Sequence, residues 1–256
     1  MQKAVCVEVV DKRDYYISEA LTKEGFMPFN LGEENKYSGY EKIYVRSLLT
    51  KVTKEIAESF ENGSTLFSRE LSEEVSLIIK DKEITHYNLL DDQTFIVKNA
   101  YITAEGAFAY ILLNTIVSIC HTPVLVLGYG RVGKSVTKIL KDNYAFVCVA
   151  TDDTTEFALA SIYSEEAFTL SSYKENIDKF SVIVNTVPKL ILKGEELKFV
   201  NKDCFILDLA SKPGGVDFVA AEKLGLNYMH ALGVPGKVAP KTAGLYIKDI
   251  IMQRLS

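Results

Sequence analysis

The chain contains no tryptophan, six prolines, three histidines and four cysteines in 256 residues. Cys6, Cys120, Cys148 and Cys204 stand far apart without a CxxC pair, and three of them lie inside apolar strand-like runs. They read as buried thiols of a reducing compartment. His86, His121 and His230 have no metal-ligand spacing with one another or with the cysteines. No excess of basic residues exists: 29 Lys and Arg stand against 34 Asp and Glu, a net charge of −5. A nucleic-acid footprint, which needs a basic face, is therefore excluded. No apolar run is long enough to span a membrane. The most apolar helical stretch, Ala107 to Cys120, is interrupted by Asn114 and Thr115 and falls short of roughly 18 apolar residues. The opening MQKAVCVEVVDKRD lacks the pattern of a cleaved leader and reads as a first strand, so a cytoplasmic location is expected. GxSxG is absent, which removes the serine-hydrolase elbow. No repeat or low-complexity tract is seen.

What remains is an ordinary globular composition, 48% hydrophobic and 25% charged, at a length suited to one large or two small domains. Residues 3–9 predict a strand and Tyr16 to Gly25 a glycine-closed helix. Between Asn30 and Ala100 short apolar runs, such as Lys42–Val45 and Val75–Ile79, alternate with polar helical stretches. The spacing of Ala104, Phe108, Ile111, Leu112, Thr115 and Ile119 predicts a helix over 103–119, with Thr103 as N-cap and Glu105 in the first turn. From residue 123 strands and helices alternate strictly. The strands are 124–128, 145–150, 181–186, 204–210 and 226–230, continuous apolar runs that imply a parallel sheet covered on both faces. The fold class expected is α/β, a doubly wound parallel-sheet (Rossmann) domain preceded by a smaller α/β lobe. Its expected parts are a lobe over 1–101, a bridging helix over 102–120, a nucleotide domain over 121–239, and a helix over 240–256 that packs back on the first lobe.

Gly128-Tyr129-Gly130-Arg131-Val132-Gly133 is a GxGxxG that follows an apolar strand and opens an amphipathic helix. In that context Gly128 makes the tight turn, Gly130 admits a pyrophosphate and Gly133 lets helix and strand pack closely. The helix N-terminus supplies N–H groups to an anion. Asp152, at the end of the second strand of this domain, is placed to accept from an adenosine ribose and to repel a 2′-phosphate, so NAD is favoured over NADP. The alternative for Asp152 or Asp153 is a helix cap. The same string with Lys134 and Ser135 also satisfies the GxxxxGKS of a P-loop. Gly130, Asp152 and the lack of a clear Mg²⁺-binding carboxylate, for which Asp208 is the one rival, favour the dinucleotide.

Three further segments carry a family resemblance. Asn185-Thr186-Val187-Pro188, the run Asp208 to Phe218 (DLASKPGGVDF) and the run Gly233 to Gly244 (GVPGKVAPKTAG) closely resemble dipicolinate synthase A, as does Thr103-Ala104-Glu105-Gly106. The resemblance runs from about residue 99 onward; before it, Asp11-Lys12-Arg13 resembles that family's opening turn. It departs in three places. The first lobe is short, Asp152 stands where the family has an arginine, and Lys212 replaces an arginine. The resemblance implies oxidation of a dihydrodipicolinate-type precursor to pyridine-2,6-dicarboxylate, a CH–CH oxidoreductase reaction with NAD or NADP, in a sporulating cell. It also implies a flavoprotein-like partner, dipicolinate synthase B, and a homo- or hetero-oligomer.

On that footing Asn185, Thr186 and Pro188 join the glycine turn as cofactor-side residues, at the ends of the sheet's strands. Thr103, Ser211, Lys212, Gly214, Lys241 and Thr242 are candidates for the small dicarboxylate substrate, expected to lie between the lobes. Glu105, Ser211, Lys212 and Asp208 are the candidate catalytic groups, with Asp208 expected to orient Ser211 or Lys212. His230, at a strand end, is the one histidine to test. The rival reading is a cofactor-binding or sensing component that leaves the chemistry to a partner.

Overall fold

A computed structural model describes residues 2–256. The chain divides into two compact units, one holding the residues up to 99 with 235–256, the other residues 100–234. In the first, β1 (Lys3–Val7), α1 (Lys12–Lys23), β2 (Met27–Pro28), β3 (Glu41–Val45), α2 (Lys54–Ser59), β4 (Thr65–Ser68), α3 (Glu73–Asp81) and β5 (Thr85–Asn88) lead to the long α4 (Gln93–Asn114), which crosses into the second unit. The second unit continues with β6 (Pro123–Leu127), α5 (Arg131–Asp142), β7 (Phe146–Ala150), α6 (Thr154–Tyr163), β8 (Glu166–Phe168), β9 (Val182–Asn185), α7 (Gly194–Leu197), β10 (Phe205–Asp208), α8 (Phe218–Lys223) and β11 (Asn227–His230). The short α9 (Val234–Val238) returns the chain to the first unit, which α10 (Pro240–Leu255) completes.

Both sheets are parallel. The first runs β2-β1-β3-β4-β5 and the second β11-β10-β9-β6-β7-β8. The second order, read from β8, is the doubly wound dinucleotide order, with its switch point between β6 and β9. The α/β class and the Rossmann sheet expected from the alternating pattern are thus present.

Period-two alternation sorts each strand onto two cores. In the first sheet Val5, Ile43, Val45 and Phe67 face one layer, and Ala4, Cys6, Tyr44 and Leu66 the other. In the second, Val124, Val126, Val147, Val149, Val182 and Val184 pack under α4, α5 and α6, while Leu125, Leu127, Ile183 and Ile206 pack on Tyr173, Leu197 and Ala221. Helix α10 packs along α1, with Ile247, Ile250 and Ile251 in the same layer as Ile17 and Leu21.

Three sequence expectations are corrected. The helix expected over 103–119 spans 93–114. Its first turn is capped by Asp92, whose carboxylate accepts from Phe95 N at 2.8 Å, so Thr103 lies mid-helix and buried, and Glu105 is not in a first turn. Beyond Asn114 the side chains of Asn114 and Thr115 donate back to the carbonyls of Tyr110 and Ile111, in a β-branched stretch where the helix stops. Helix α1 begins at Lys12, because Asp11 and Asp14 form a reciprocal capping box. The run Val75–Ile79 is helix α3, capped by Ser72, with Val75 and Ile79 buried one turn apart. The residue pattern does not announce strand β8, a short edge strand with one buried residue, Phe168.

Cys6 and Cys204 are buried, Cys148 is half-buried and Cys120 exposed, all as free thiols. Burial pushes the Cys6 and Cys148 thiols up to about 11 and Cys204 to about 12, which makes them inert as nucleophiles. Among the described residues no helix is long and apolar enough to cross a membrane.

Ile251 is fully buried between α10 and the first sheet. Ile251→Ala is expected to cost about 2–4 kcal/mol, read as a lowered urea midpoint.

Candidate active site

Strand β6 ends in the glycine turn. Gly128 has φ +89 and its N–H donates to Ala150 O at 2.8 Å; a Cβ there would lie 2.5 Å from Thr186 Oγ1. A Cβ on Gly133 would collide with the Gly128 carbonyl oxygen. These two glycines are demanded by the protein itself, one for a left-handed backbone and one for close helix–strand packing.

Gly130 is different. Its φ is ordinary and the nearest atom to an added Cβ is Glu156 Oε1 at 3.6 Å, so nothing within the chain requires glycine there. A glycine that packing does not need, at the N-cap of α5 where the first helical N–H groups have no acceptor within the helix, suits close approach of a phosphate. The turn therefore fits a dinucleotide. Arg131 and Val132 occupy the first turn of α5, and the Tyr129 ring is buried, with the Lys134 ammonium 5.7 Å from its centroid.

After β7, Asp153 is the N-cap of α6, its Oδ1 accepting from Glu156 N at 2.8 Å. Asp152 is exposed and uses Oδ1 to hold Leu170 N at 2.8 Å. Glu156 accepts from Thr151 Oγ1 at 3.0 Å. Three carboxylates thus follow this strand, a poor setting for an additional phosphate.

The ends of β9 and β10, paired in register at Asn185 and Asp208, are built around one buried carboxylate. Asp208 is fully buried. Its Oδ1 accepts from Asn185 Nδ2 at 2.8 Å and Ala210 N at 2.9 Å, and its Oδ2 from Gly215 N at 2.7 Å. Asn185, also fully buried, closes its own turn through Val187 N and Val187 O. His230 Nε2 bonds Ala210 O at 2.8 Å and its ring stacks on Phe218. The loop carrying Ser211, Lys212 and Gly214 is held from both ends, with Gly214 at φ +92 and the Lys212–Pro213 peptide cis.

Asp208 therefore orients neither the Ser211 nor the Lys212 side chain. It fixes the backbone of the loop that bears them, and its burial makes it a positioning residue. Ser211, Lys212 and Pro188 are exposed, while Thr186 Oγ1 is tied to Leu127 O at 2.9 Å. Thr103 is buried and Glu105 exposed on α4. Lys241 and Thr242 are exposed in the first turn of α10, in the other unit.

Residue patterns did not reveal the carboxyl edge of the first sheet. Glu8, just after β1, accepts from Arg46 Nη2 at 2.6 Å, Ser47 N at 3.0 Å and Thr50 Oγ1 at 2.6 Å. Register places Arg46 beside Ser68, whose hydroxyl lies 2.9 Å from His86 Nε2. Arg13 pairs with Asp11 at 3.2 Å. The Nε atoms of Arg13, Arg46 and Arg69 are buried without a partner. Arg13 and Arg46 are thus buried ion-pair partners at helix and strand ends, while Arg69, beside Glu70 at 3.3 Å, is half-buried. The available signal was the polar residue directly after each apolar strand, Val45-Arg46 and Phe67-Ser68-Arg69.

With the geometry in place, comparison with known proteins is informative. An L-alanine dehydrogenase superposes with a TM-score of 0.65 at 12% identity, over 100% of this chain and 89% of that one. Sheet order, glycine turn and this likeness define the class by its fold, a doubly wound Rossmann fold of the kind dehydrogenases share. Within it, the resemblance to dipicolinate synthase A read from the motifs is borne out. The dipicolinate synthase A of Bacillus halodurans superposes with a TM-score of 0.87 at 25% identity, covering 100% of this chain and 98% of that one. Its counterpart in Bacillus subtilis (strain 168) is 32% identical over 168 residues, 66% of this chain but 57% of the relative's length. No family profile matches the chain.

Two outcomes test this site. Asp208→Ala strands three buried N–H donors and is expected to destabilise the second unit by about 3–5 kcal/mol, measured by urea unfolding at neutral pH. Burial holds the His86 imidazole below its ordinary 6.5. The folded chain then binds that proton less readily than the unfolded one, so stability is full above pH ~6.5 and falls as the pH drops through the folded value. His86→Gln is expected to flatten this acid limb in denaturation curves taken from about pH 7 to 5.

Proposed function

We propose that the chain oxidises a dihydrodipicolinate-type dicarboxylate to pyridine-2,6-dicarboxylate, a CH–CH oxidation that uses NAD or NADP, with NAD preferred. The observation that carries the reading is Gly130, a glycine with room for a side chain at the mouth of a Rossmann turn. It is supported by the resemblance to dipicolinate synthase A over the loop that Asp208 holds.

Bound at the turn, the nicotinamide dinucleotide supplies the hydride acceptor. The chain's own residues bind and position. Backbone N–H groups of 130–133 hold the pyrophosphate, with Arg131 beside it, and Asp152 accepts from the ribose. Asn185, Thr186 and Pro188 form the wall on the nicotinamide side. Ser211 donates a hydrogen bond and Lys212 a charge to one substrate carboxylate; because Asp208 and His230 fix their loop, both are preorganised. Thr103 and Gly214 are proposed to complete the anion site of the second unit, and Lys241 and Thr242 are proposed as carboxylate contacts of the first. Arg69 is proposed to bind a carboxylate at the first sheet's own edge. Glu105, exposed on α4, is the proposed proton acceptor.

A flavoprotein-like partner of the dipicolinate synthase B type, an oligomeric assembly and a role in the cytoplasm of a sporulating cell belong to the same proposal. A cofactor-binding component without chemistry of its own is the second reading, favoured by the exposure of Glu105, which pairs with no acid or base among the described residues.

The test is to supply enzymatically generated dihydrodipicolinate with NAD⁺ or NADP⁺ and follow the ultraviolet absorbance of dipicolinate. Product is expected, faster with NAD⁺. Lys212→Ala is expected to lower kcat/KM by about 10²-fold, the loss of a charged contact of ~3 kcal/mol, with NAD⁺ affinity unchanged. No product with either cofactor, despite NAD⁺ binding, would select the sensing role.

A further inference from the structure

Away from the strand ends, the second unit has a groove between α5 and α6 of about 510 Å³, the size of small-molecule sites. Its α5 wall includes Lys134 and Thr137, three residues apart and so on one helix face. Its α6 wall is Leu159, Ile162 and Tyr163, three and four residues apart, and Tyr129 also lines it. Gly128, Gly130, Arg131, Gly133 and Asp152 do not line it.

Two polar groups here are unspent. Thr137 is 2% exposed and its Oγ1 is buried without a hydrogen-bond partner. A helical threonine can satisfy its hydroxyl on the preceding turn; this one does not. Lys134 stands 5.7 Å over the Tyr129 ring, and among the described residues no carboxylate pairs with it. The neighbouring lysines of the groove are neutralised, Lys138 by Asp142 at 2.7 Å and Lys141 by Glu165 at 3.3 Å. Opposite these groups the wall is apolar and open to solvent, with Ile162 at 70% and Tyr163 at 59% exposure.

We infer that this groove binds a small aromatic carboxylate as an effector. The carboxylate sits between the Lys134 ammonium and the Thr137 hydroxyl, which donates to it, and the ring lies on Leu159, Ile162 and Tyr163. Lys138 and Lys141 keep their own carboxylate partners, so the charge on the ligand is met by Lys134. Tyr129 links the site to function, because its backbone is part of the glycine turn and its side chain is part of the groove.

Naphthalene-2-carboxylate, titrated calorimetrically into the full chain, is the probe. Saturable binding at about 1 mM or tighter is expected for a ligand of this size, and at least tenfold weaker binding of the neutral naphthalene-2-carboxamide. Lys134→Gln and Thr137→Val should each weaken the carboxylate by about tenfold. Thr137→Val should melt no lower than the parent, because it removes a buried unpaired hydroxyl; its loss of binding is then not a folding defect. Absence of saturable binding, or equal affinity in both variants, overturns the inference. So does strictly competitive displacement by NAD⁺, which would place the probe at the dinucleotide turn.

Discussion

A carboxylate with no exposure to solvent organises the second unit's strand ends. Asp208 is at the last position of β10, where a side chain facing the core is ordinarily apolar, and it is tolerated because three N–H donors converge on its two oxygens. One donor comes from the neighbouring strand through Asn185 and two from the loop that follows. The interaction therefore locks β9 to β10 and simultaneously bends the segment 209–215 back over the strand ends. Ser211 and Lys212 project from a loop whose two roots are pinned, and His230 on β11 adds a third anchor through Ala210 O. Such a network is rigid only when every member is satisfied, which makes it a device for holding a loop as well as for stabilising a sheet.

The glycine turn solves the complementary problem on β6. Two of its glycines answer to the chain's own sterics, and the third has room for a side chain within the chain. Turn and loop share the carboxyl edge of one sheet, on adjacent strands β6, β9 and β10, where doubly wound folds place their ligands.

Much of the second unit is legible in the sequence. Continuous apolar strands in strict alternation with helices dictate a parallel sheet, and the glycine spacing has a mechanical reason at each position. What stays hidden is polar and local. The start of α4 escapes because Asp92 caps a turn whose residues, Gln93 and Thr94, look like loop. Thr103 reads as a cap because a threonine before an apolar run fits both a helix start and a buried helical position. The role of Asp208 is half visible: a carboxylate inside an apolar strand demands partners, but a backbone N–H seven residues on cannot be read from residue types. The arginines of the first sheet's edge carry no motif, because ion pairs with Glu8 and Asp11 depend on the folded backbone rather than on a recognisable spacing.

The central claim is that the second unit holds a nicotinamide dinucleotide on the turn 128–133. Backbone amide NMR shifts during an NAD⁺ titration test it directly. The account predicts saturable shifts concentrated at Gly130, Arg131, Val132 and Gly133, extending to Asp152 and Thr186. Shifts confined to other surfaces, or none at concentrations that saturate a dehydrogenase, would contradict it.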